Sequence, residues 1–185
     1  MLDFFPVFAS PFFKGRVEVP WDAVAYWMNE SHTKESAQVS NRDGWQSESF
    51  RTHPQTKTLE EFLQRALPAF KQLDMWVNVN RKGSFNVQHM HPGNDLAFVW
   101  YLTDASGLQL QNPNIFQQFH ILKEFDHDQG SVYEAINFTN AAGDILIFPA
   151  HINHKVLPTE EDIRISVAGN LRWTPQEVAP STFDS

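Results

Sequence analysis

From residue 75 onward, apolar and polar positions alternate in short runs broken by turns: MWVNVNR (75–81), SFNVQHMH (84–91), LAFVWYLT (96–103), GLQLQ (107–111), VYEAINF (132–138), GDILIFP (143–149) and RISVAGNL (164–171). Period-two alternation rich in β-branched and aromatic residues, bounded by Gly, Pro, Asn and Asp, marks strands. No helical periodicity separates these runs, as the crossovers of a parallel sheet would require, so the pattern predicts an antiparallel jelly roll. Before residue 75 the period changes to that of helices. Pro20 opens a first helix with Trp21, Val24, Ala25 and Met28 on one face. A second starts with Thr58 as N-cap and Glu61 three residues on, a capping box, and continues through Leu59, Phe62, Leu63, Ala66, Leu67, Phe70 and Leu73. Pro68 inside it predicts a kink or a broken last turn. Residues 40–50, SNRDGWQSESF, predict a loop with a turn at Asp43-Gly44, the opening MLDFFPVFASPFF an edge strand, and the end TPQEVAPSTFDS a loose tail. The expected architecture is mainly β, a double-stranded β-helix (jelly roll or cupin-like barrel) with two or more N-terminal α-helices packed on it. It forms one domain over 1–185: N-terminal strand and helices in 1–74, jelly-roll core in 75–172, tail in 173–185.

Composition narrows the chemistry. A chain of 185 residues with 42% hydrophobic content, 16 Phe and 6 Trp supplies one core. A formal charge of -8 with no basic cluster argues against nucleic acid as a partner. Cysteine is absent, so any metal must be held by His, Asp or Glu. No apolar run approaches the ~20 residues that span a bilayer, and the apolar opening lacks a basic segment, contains Asp3 and is broken by Pro6 and Pro11. A soluble, cytoplasmic protein without membrane association is expected.

Along SFNVQHMH, alternation puts Phe85, Val87, His89 and His91 on one face and Asn86, Gln88 and Met90 on the other. Two imidazoles then project together where Pro92-Gly93 ends the strand. A third histidine, His154, follows the strand that closes at Pro149, and the three together suit a metal ion. His151 reads as a solvated loop residue, and His32, His53, His120 and His127 have no convergent partner.

The spacing G-x5-H-x-H from Gly83 to His91, followed by G-x5-P-x4-H from Gly143 to His154, resembles the two signature motifs of the cupin superfamily of double-stranded β-helices. Asp95 stands where many cupins carry a glutamate ligand, which makes it a reserve ligand, and His151 replaces a glycine usual in the second motif. After His154 the chain reads as a hairpin turning over Pro158 to Asp162, which sets Arg164 across from His154 with Ser166 and Ala168 on the same face. An inward arginine calls for an anion, and its planar fork fits a carboxylate.

A third histidine ten residues before Arg-x-Ser is similar to the C-terminal motif of Fe(II)/2-oxoglutarate-dependent dioxygenases. GWQS (44–47), WVNVN (76–80), HMHPGNDLAFVWYL (89–102), GDILIFPAHINHKVLP (143–158) and RISVAGNL together resemble a small family of 2-oxoglutarate-Fe(II) oxygenases of bacteria and phages, over roughly residues 40 to 172. Trp100-Tyr101 stands where two tyrosines are common, and Asn112-Pro113-Asn114 where Asp-Pro-Arg is often found. The resemblance implies an oxidoreductase in which Fe(II) is held by His89, His91 and His154. 2-Oxoglutarate is then the co-substrate, its distal carboxylate on Arg164 and Ser166, and with O2 it yields succinate and CO2 as a substrate C–H is oxidised. Most of the wider class has a carboxylate where His91 stands. The substrate, a small molecule or a protein side chain, and the oligomeric state are not fixed by the sequence. Trp76, Asn78, Asn80, Trp100 and Tyr101 are candidates for the substrate pocket, and Asn78, Asn80 and Gln109 for orienting the ligand imidazoles. Two rival readings use the same histidines: a three-histidine cupin dioxygenase without 2-oxoglutarate, and a non-catalytic metal-binding jelly-roll module.

Overall fold

The alternating runs form two antiparallel sheets in the computed structural model, which describes residues 10–37, 39–113 and 134–174. The strands are β1 (Phe13–Arg16), β2 (Asn41–Arg42), β3 (Trp45–Gln46), β4 (Phe70–Arg81), β5 (Phe85–His89), β6 (Leu96–Tyr101), β7 (Ala105–Gln111), β8 (Ala135–Asn140), β9 (Asp144–Pro149), β10 (His154–Val156) and β11 (Ile163–Trp173). Six of them run in the order β1-β9-β6-β11-β4-β3 and five in the order β2-β5-β10-β7-β8, the two facing sheets of a jelly roll. Helices α1 (Ala23–Thr33) and α2 (Lys57–Ala66) cover the outer face of the larger sheet.

Alternation sorts each long strand between two cores. Met75, Val77 and Val79 of β4, Phe98 and Trp100 of β6 and Ile165 and Val167 of β11 face the helices, where Trp27, Leu59 and Leu63 meet them. The opposite face presents Ala97, Val99, Tyr101, Phe148 and Ala168 to Leu108 and Leu110 of the smaller sheet. At ~1.5–3 kcal/mol for each large side chain fully buried, these two layers outweigh any polar term in holding the sheets together. Polar residues of β4 and β11 on the inner face, which include Asn78, Arg164 and Ser166, therefore face the space between the sheets.

Several elements depart from the sequence pattern. Helix α1 begins at Ala23, not Pro20: Trp21 lies in the preceding turn and is 95% exposed and Ala25 points outward, while Val24 and Met28 pack on the core as expected, beside the fully buried Ala23 and Trp27. Thr58 does not cap α2. It lies within the first turn and its hydroxyl donates to Glu18 O, while Glu60 Oε1 accepts from His53 N and the Thr56 hydroxyl, one residue earlier than the expected box. The helix ends at Ala66, because a residue before proline avoids helical geometry, and Phe70 and Leu73 belong to β4 instead. The turn at Asp43-Gly44 is present with Asp43 at φ 55, and it joins β2 of one sheet to β3 of the other. The expected edge strand is shorter and later, β1 on β9, and residues 1–9 lie outside the described residues. So do residues 114–133 and 175–185, which hold Asn114, His120, His127, the first residues of the VYEAINF run and nearly all of the tail. No helix among the described residues is long and apolar enough to cross a membrane.

One correction concerns the site directly. β10 and β11 are not a hairpin: β10 pairs with β5 and β7, whereas β11 pairs with β4 and β6 in the other sheet. Residues 157–162 cross from one sheet to the other. Arg164 thus reaches the same space as His154 from the opposite wall rather than from the neighbouring strand.

Candidate metal centre

His154 opens β10 directly opposite His89 on β5. Two residues along β10, from His154 to Val156, span three along β5, from His89 to Asn86, so a bulge breaks the alternation of SFNVQHMH. His89 keeps the inward direction, but Asn86 rather than Phe85 or Val87 lines the cavity. His91 follows the strand end, held by its N–H donating to Ala150 O at 2.9 Å. The three rings meet with centroids 4.3 Å (His89–His154), 5.0 Å (His91–His154) and 5.2 Å (His89–His91) apart. One ligand nitrogen from each lies within 4.8 Å of the others.

Hydrogen bonds settle which nitrogen each ring offers. Nδ1 of His89 is 2.7 Å from Val87 O, and Nδ1 of His154 is 2.9 Å from Ile152 O. Carbonyls only accept, so both Nδ1 atoms carry hydrogen and both Nε2 atoms hold the lone pair. Nδ1 of His91 is 2.5 Å from Asn170 Oδ1, and its Nε2 is buried without a partner among the described residues. Burial lowers the pKa of all three rings, and burial followed by the neighbouring His89 pushes His154 down to about 3. Three neutral imidazoles with free, convergent Nε2 atoms are a donor set for a divalent transition metal.

The wall facing the histidines carries Trp76, Asn78, Arg164, Ser166 and Ala168. Arg164 is 1% exposed, and among the described residues no carboxylate lies within ion-pair distance of it. Its Nη1 donates to Ser166 Oγ at 3.1 Å, its Nε has no acceptor among the described residues, and its Cζ stands 5.4 Å from the Tyr101 ring centroid. The Tyr101 hydroxyl is buried with no partner at ordinary hydrogen-bond distance among the described residues, and burial raises its pKa against the opposing pull of the nearby Arg164. A buried cation with no carboxylate partner among the described residues is costly, so this position is suited to an anion. A buried guanidinium without a carboxylate partner among the described residues, beside a phenol and facing three convergent imidazoles, fits a metal with a carboxylate ligand.

Other expected site residues fall elsewhere. Trp100 is adjacent to Tyr101 on β6 and so must face the other way. It packs among the residues under the helices, with its indole N–H toward Val17 O. Asn80 is buried and donates to Asn86 Oδ1, outside the cavity lining. Gln109 donates to Asn137 on the exposed face of the smaller sheet, so it orients no imidazole. Asp95 is exposed and accepts from Trp173 N, apart from the three histidines. His151 is exposed, as expected of a loop residue, and His53 sits among Tyr26, Trp27 and Phe50 under α1. Two site neighbours, Asn170 and Asp74, are not among the residues the sequence pattern singles out, and Trp76, which is, packs tilted on His91 at 5.5 Å. Period two from Arg164 through Ser166 and Ala168 reaches Asn170, so that residue was within reach of the pattern.

A family model described as "Putative 2OG-Fe(II) oxygenase" matches residues 74–170, more than half of the chain. No curated protein matches in sequence. Among solved structures, a Pseudomonas putida prolyl-4-hydroxylase is similar with TM-score 0.57 at 14% identity, over 90% of this chain and 94% of its own. HygX from Streptomyces hygroscopicus, with nickel and 2-oxoglutarate bound, has TM-score 0.60 at 13% identity, over 89% and 84%. A viral collagen prolyl hydroxylase from Paramecium Bursaria Chlorella virus-1, in a 2-oxoglutarate complex, has TM-score 0.54 at 14% identity, over 88% and 96%. At such identities these likenesses establish the jelly-roll fold.

Proposed function

Because the chain belongs to this family of 2OG-Fe(II) oxygenases, we propose that it is a 2-oxoglutarate-dependent hydroxylase whose Fe(II) is held by His89, His91 and His154. In this reading Arg164 and Ser166 take the distal carboxylate of the co-substrate. The observation that carries the reading is the pairing, across one cavity, of three free imidazole nitrogens with a buried arginine that has no carboxylate partner among the described residues. A three-histidine dioxygenase without 2-oxoglutarate, or a metal-binding module, leaves that arginine without a purpose.

Once bound, iron and 2-oxoglutarate supply the oxidising chemistry, converting 2-oxoglutarate and O2 to succinate and CO2 as a substrate C–H is oxidised. The chain's own work is binding, orientation and exclusion of water. Neutral imidazoles present lone pairs without first losing protons, because burial has already depressed their pKa values. Arg164 offers two parallel donors to a planar carboxylate and is held ready by Ser166 and the Tyr101 face. Val99, Leu108, Phe148 and Ala168 give the cavity a dry wall, where electrostatic contacts are stronger than in water. Trp76, packed on His91 and lining the cavity, is the aromatic surface available to a substrate, which is either a small molecule or a protein side chain.

The test is anaerobic addition of 2-oxoglutarate to the Fe(II)-loaded protein, followed through the weak visible charge-transfer band of the chelate. A saturable band is expected, and its formation should be lost in Arg164→Ala. Iron binding with no response to 2-oxoglutarate would overturn the reading.

A further inference from the structure

The three ring nitrogens that point away from the metal position are held in two different ways. His89 and His154 rest Nδ1 on backbone carbonyls, which cannot reverse their polarity. His91 rests Nδ1 on the side-chain amide of Asn170. An amide has the same shape and opposite polarity when turned by 180°. Turned, it would present Nδ2–H to His91 and pull the ring's proton to Nε2, removing the lone pair a metal needs.

Asp74 removes that ambiguity. Its Oδ1 is 2.9 Å from Asn170 Nδ2. A carboxylate only accepts, so the amide must turn its NH2 to Asp74 and its oxygen to His91. The backbone fixes the pair: Asp74 on β4 is the register partner of Asn170 on β11, at the last position before the register shifts. Close approach of the strands there depends on Gly169, whose Cβ, if present, would lie 2.5 Å from Asp74 O.

We propose that Asp74 is a positioning residue for the metal centre, which acts through Asn170 to lock His91 as the Nδ1–H tautomer and sets a negative charge behind the one ligand position that departs from the carboxylate common in the wider class. The proposal rests on the reading of the three histidines as ligands. It assigns Asp74 no contact with metal or substrate.

Two readouts test it, neither of them turnover. Long-range 15N–1H NMR of the metal-free protein reports the tautomer of His91, and titration with Co(II) reports metal affinity. The native protein should show His91 in the Nδ1–H form alone. Asp74→Asn is isosteric and can present either end of an amide to Asn170, so both His91 tautomers should appear and Co(II) should bind roughly 10–100-fold more weakly. The exchanged pair Asp74→Asn with Asn170→Asp puts an obligate acceptor directly on His91, and should restore both the single tautomer and the affinity. A single tautomer with undiminished Co(II) binding in Asp74→Asn, or no recovery in the exchanged pair, overturns the proposal. Native protein that bound no Co(II) would instead refute the metal reading, while the NMR comparison would still decide whether Asp74 orients His91.

Discussion

Replacing Arg164 with methionine separates a ligand-binding arginine from a structural one, because the two roles predict opposite consequences. The side chain is 1% exposed with no acidic partner among the described residues. Without ligand it therefore bears a desolvation cost of several kcal/mol. What it gains in return is a hydrogen bond to Ser166 at 3.1 Å, ~1 kcal/mol, and a cation–π contact to Tyr101 at 5.4 Å, about 2 kcal/mol when desolvated. Methionine has a similar reach and no charge to desolvate. Arg164→Met should thus leave the metal-free protein within ~1 kcal/mol of its native stability or above it, a change of at most a few degrees downward in Tm at ~2–4 °C per kcal/mol for this size. Affinity for 2-oxoglutarate should fall by ~2–5 kcal/mol, the loss expected when one member of a desolvated charge pair is truncated. That is about 30-fold or more. Thermal unfolding of the metal-free protein and anaerobic titration of 2-oxoglutarate into the iron-loaded protein measure the two arms. A large drop in Tm with unchanged 2-oxoglutarate affinity would show that Arg164 supports the fold and does not bind the co-substrate.

His154→Ala and His89→Ala should each abolish stable iron binding and keep the folded barrel, since both side chains lie at strand ends away from the packed layers under the helices; metal content beside thermal unfolding is the check, and full occupancy in either variant removes that histidine from the site. Gly169→Ala should destabilise the protein by at least ~1–3 kcal/mol, because its Cβ would meet Phe98 and Asp74 O at 2.5 Å; denaturant unfolding measures this, and an unchanged midpoint would mean that β4 and β11 separate more easily than their packing implies. Burial raises the pKa of Asp144, but Lys14 at 2.9 Å, the Ala141 N–H and Arg16 outweigh it and hold the carboxyl below its ordinary 3.8. A depressed folded-state pKa contributes stability above the unfolded value that is lost as pH falls through the folded one, so amide exchange in β1 should accelerate below about pH 4, and Asp144→Asn should abolish that pH dependence.

The fold was legible because strand alternation is a local property. Arg164, Ser166 and Ala168 point one way and Ile165 and Val167 the other, whatever the partner strand. The same rule misled at one place and was neglected at another. A bulge in β5 reversed the inward residue from Val87 to Asn86, and nothing in the composition of SFNVQHMH announces a bulge. Taking Trp100 and Tyr101 together as pocket residues ignored that neighbours on a strand face opposite sides. Pairing was the less legible level. His154 and Arg164 do meet across the cavity, but from two sheets joined by residues 157–162, where sequence suggested a hairpin. Hairpin and crossover loops of that length use similar turn residues, so only tertiary packing distinguishes them. The helix boundaries missed by two to three residues at Trp21 and Thr58 for a similar reason: Glu60 gains more by satisfying His53 N and Thr56 together than Glu61 would by capping Thr58.

Substitution of His91 by aspartate joins these threads. From the ligand set alone, His91→Asp recreates two histidines and a carboxylate and should retain iron. The amide behind that position adds a condition. Asn170 presents Oδ1 toward residue 91 because Asp74 holds its NH2 group. A carboxylate at 91 would face that oxygen, an acceptor against an acceptor, and turning the amide to donate would set Oδ1 against Asp74 instead. Either way one hydrogen bond to a largely buried charged group is unmade, at ~1–3 kcal/mol or more. His91→Asp alone should therefore bind iron about fivefold or more weakly than its ligand set would suggest. Adding Asp74→Asn frees Asn170 to turn, so the substitution that weakens metal binding in the native protein should strengthen it in the His91→Asp background. A change of sign between the two backgrounds is a coupling that no general loss of stability produces. Metal titrations of the four proteins measure it directly, and Asp74→Asn weakening both backgrounds equally would show that the orientation of Asn170 is not what links Asp74 to the metal.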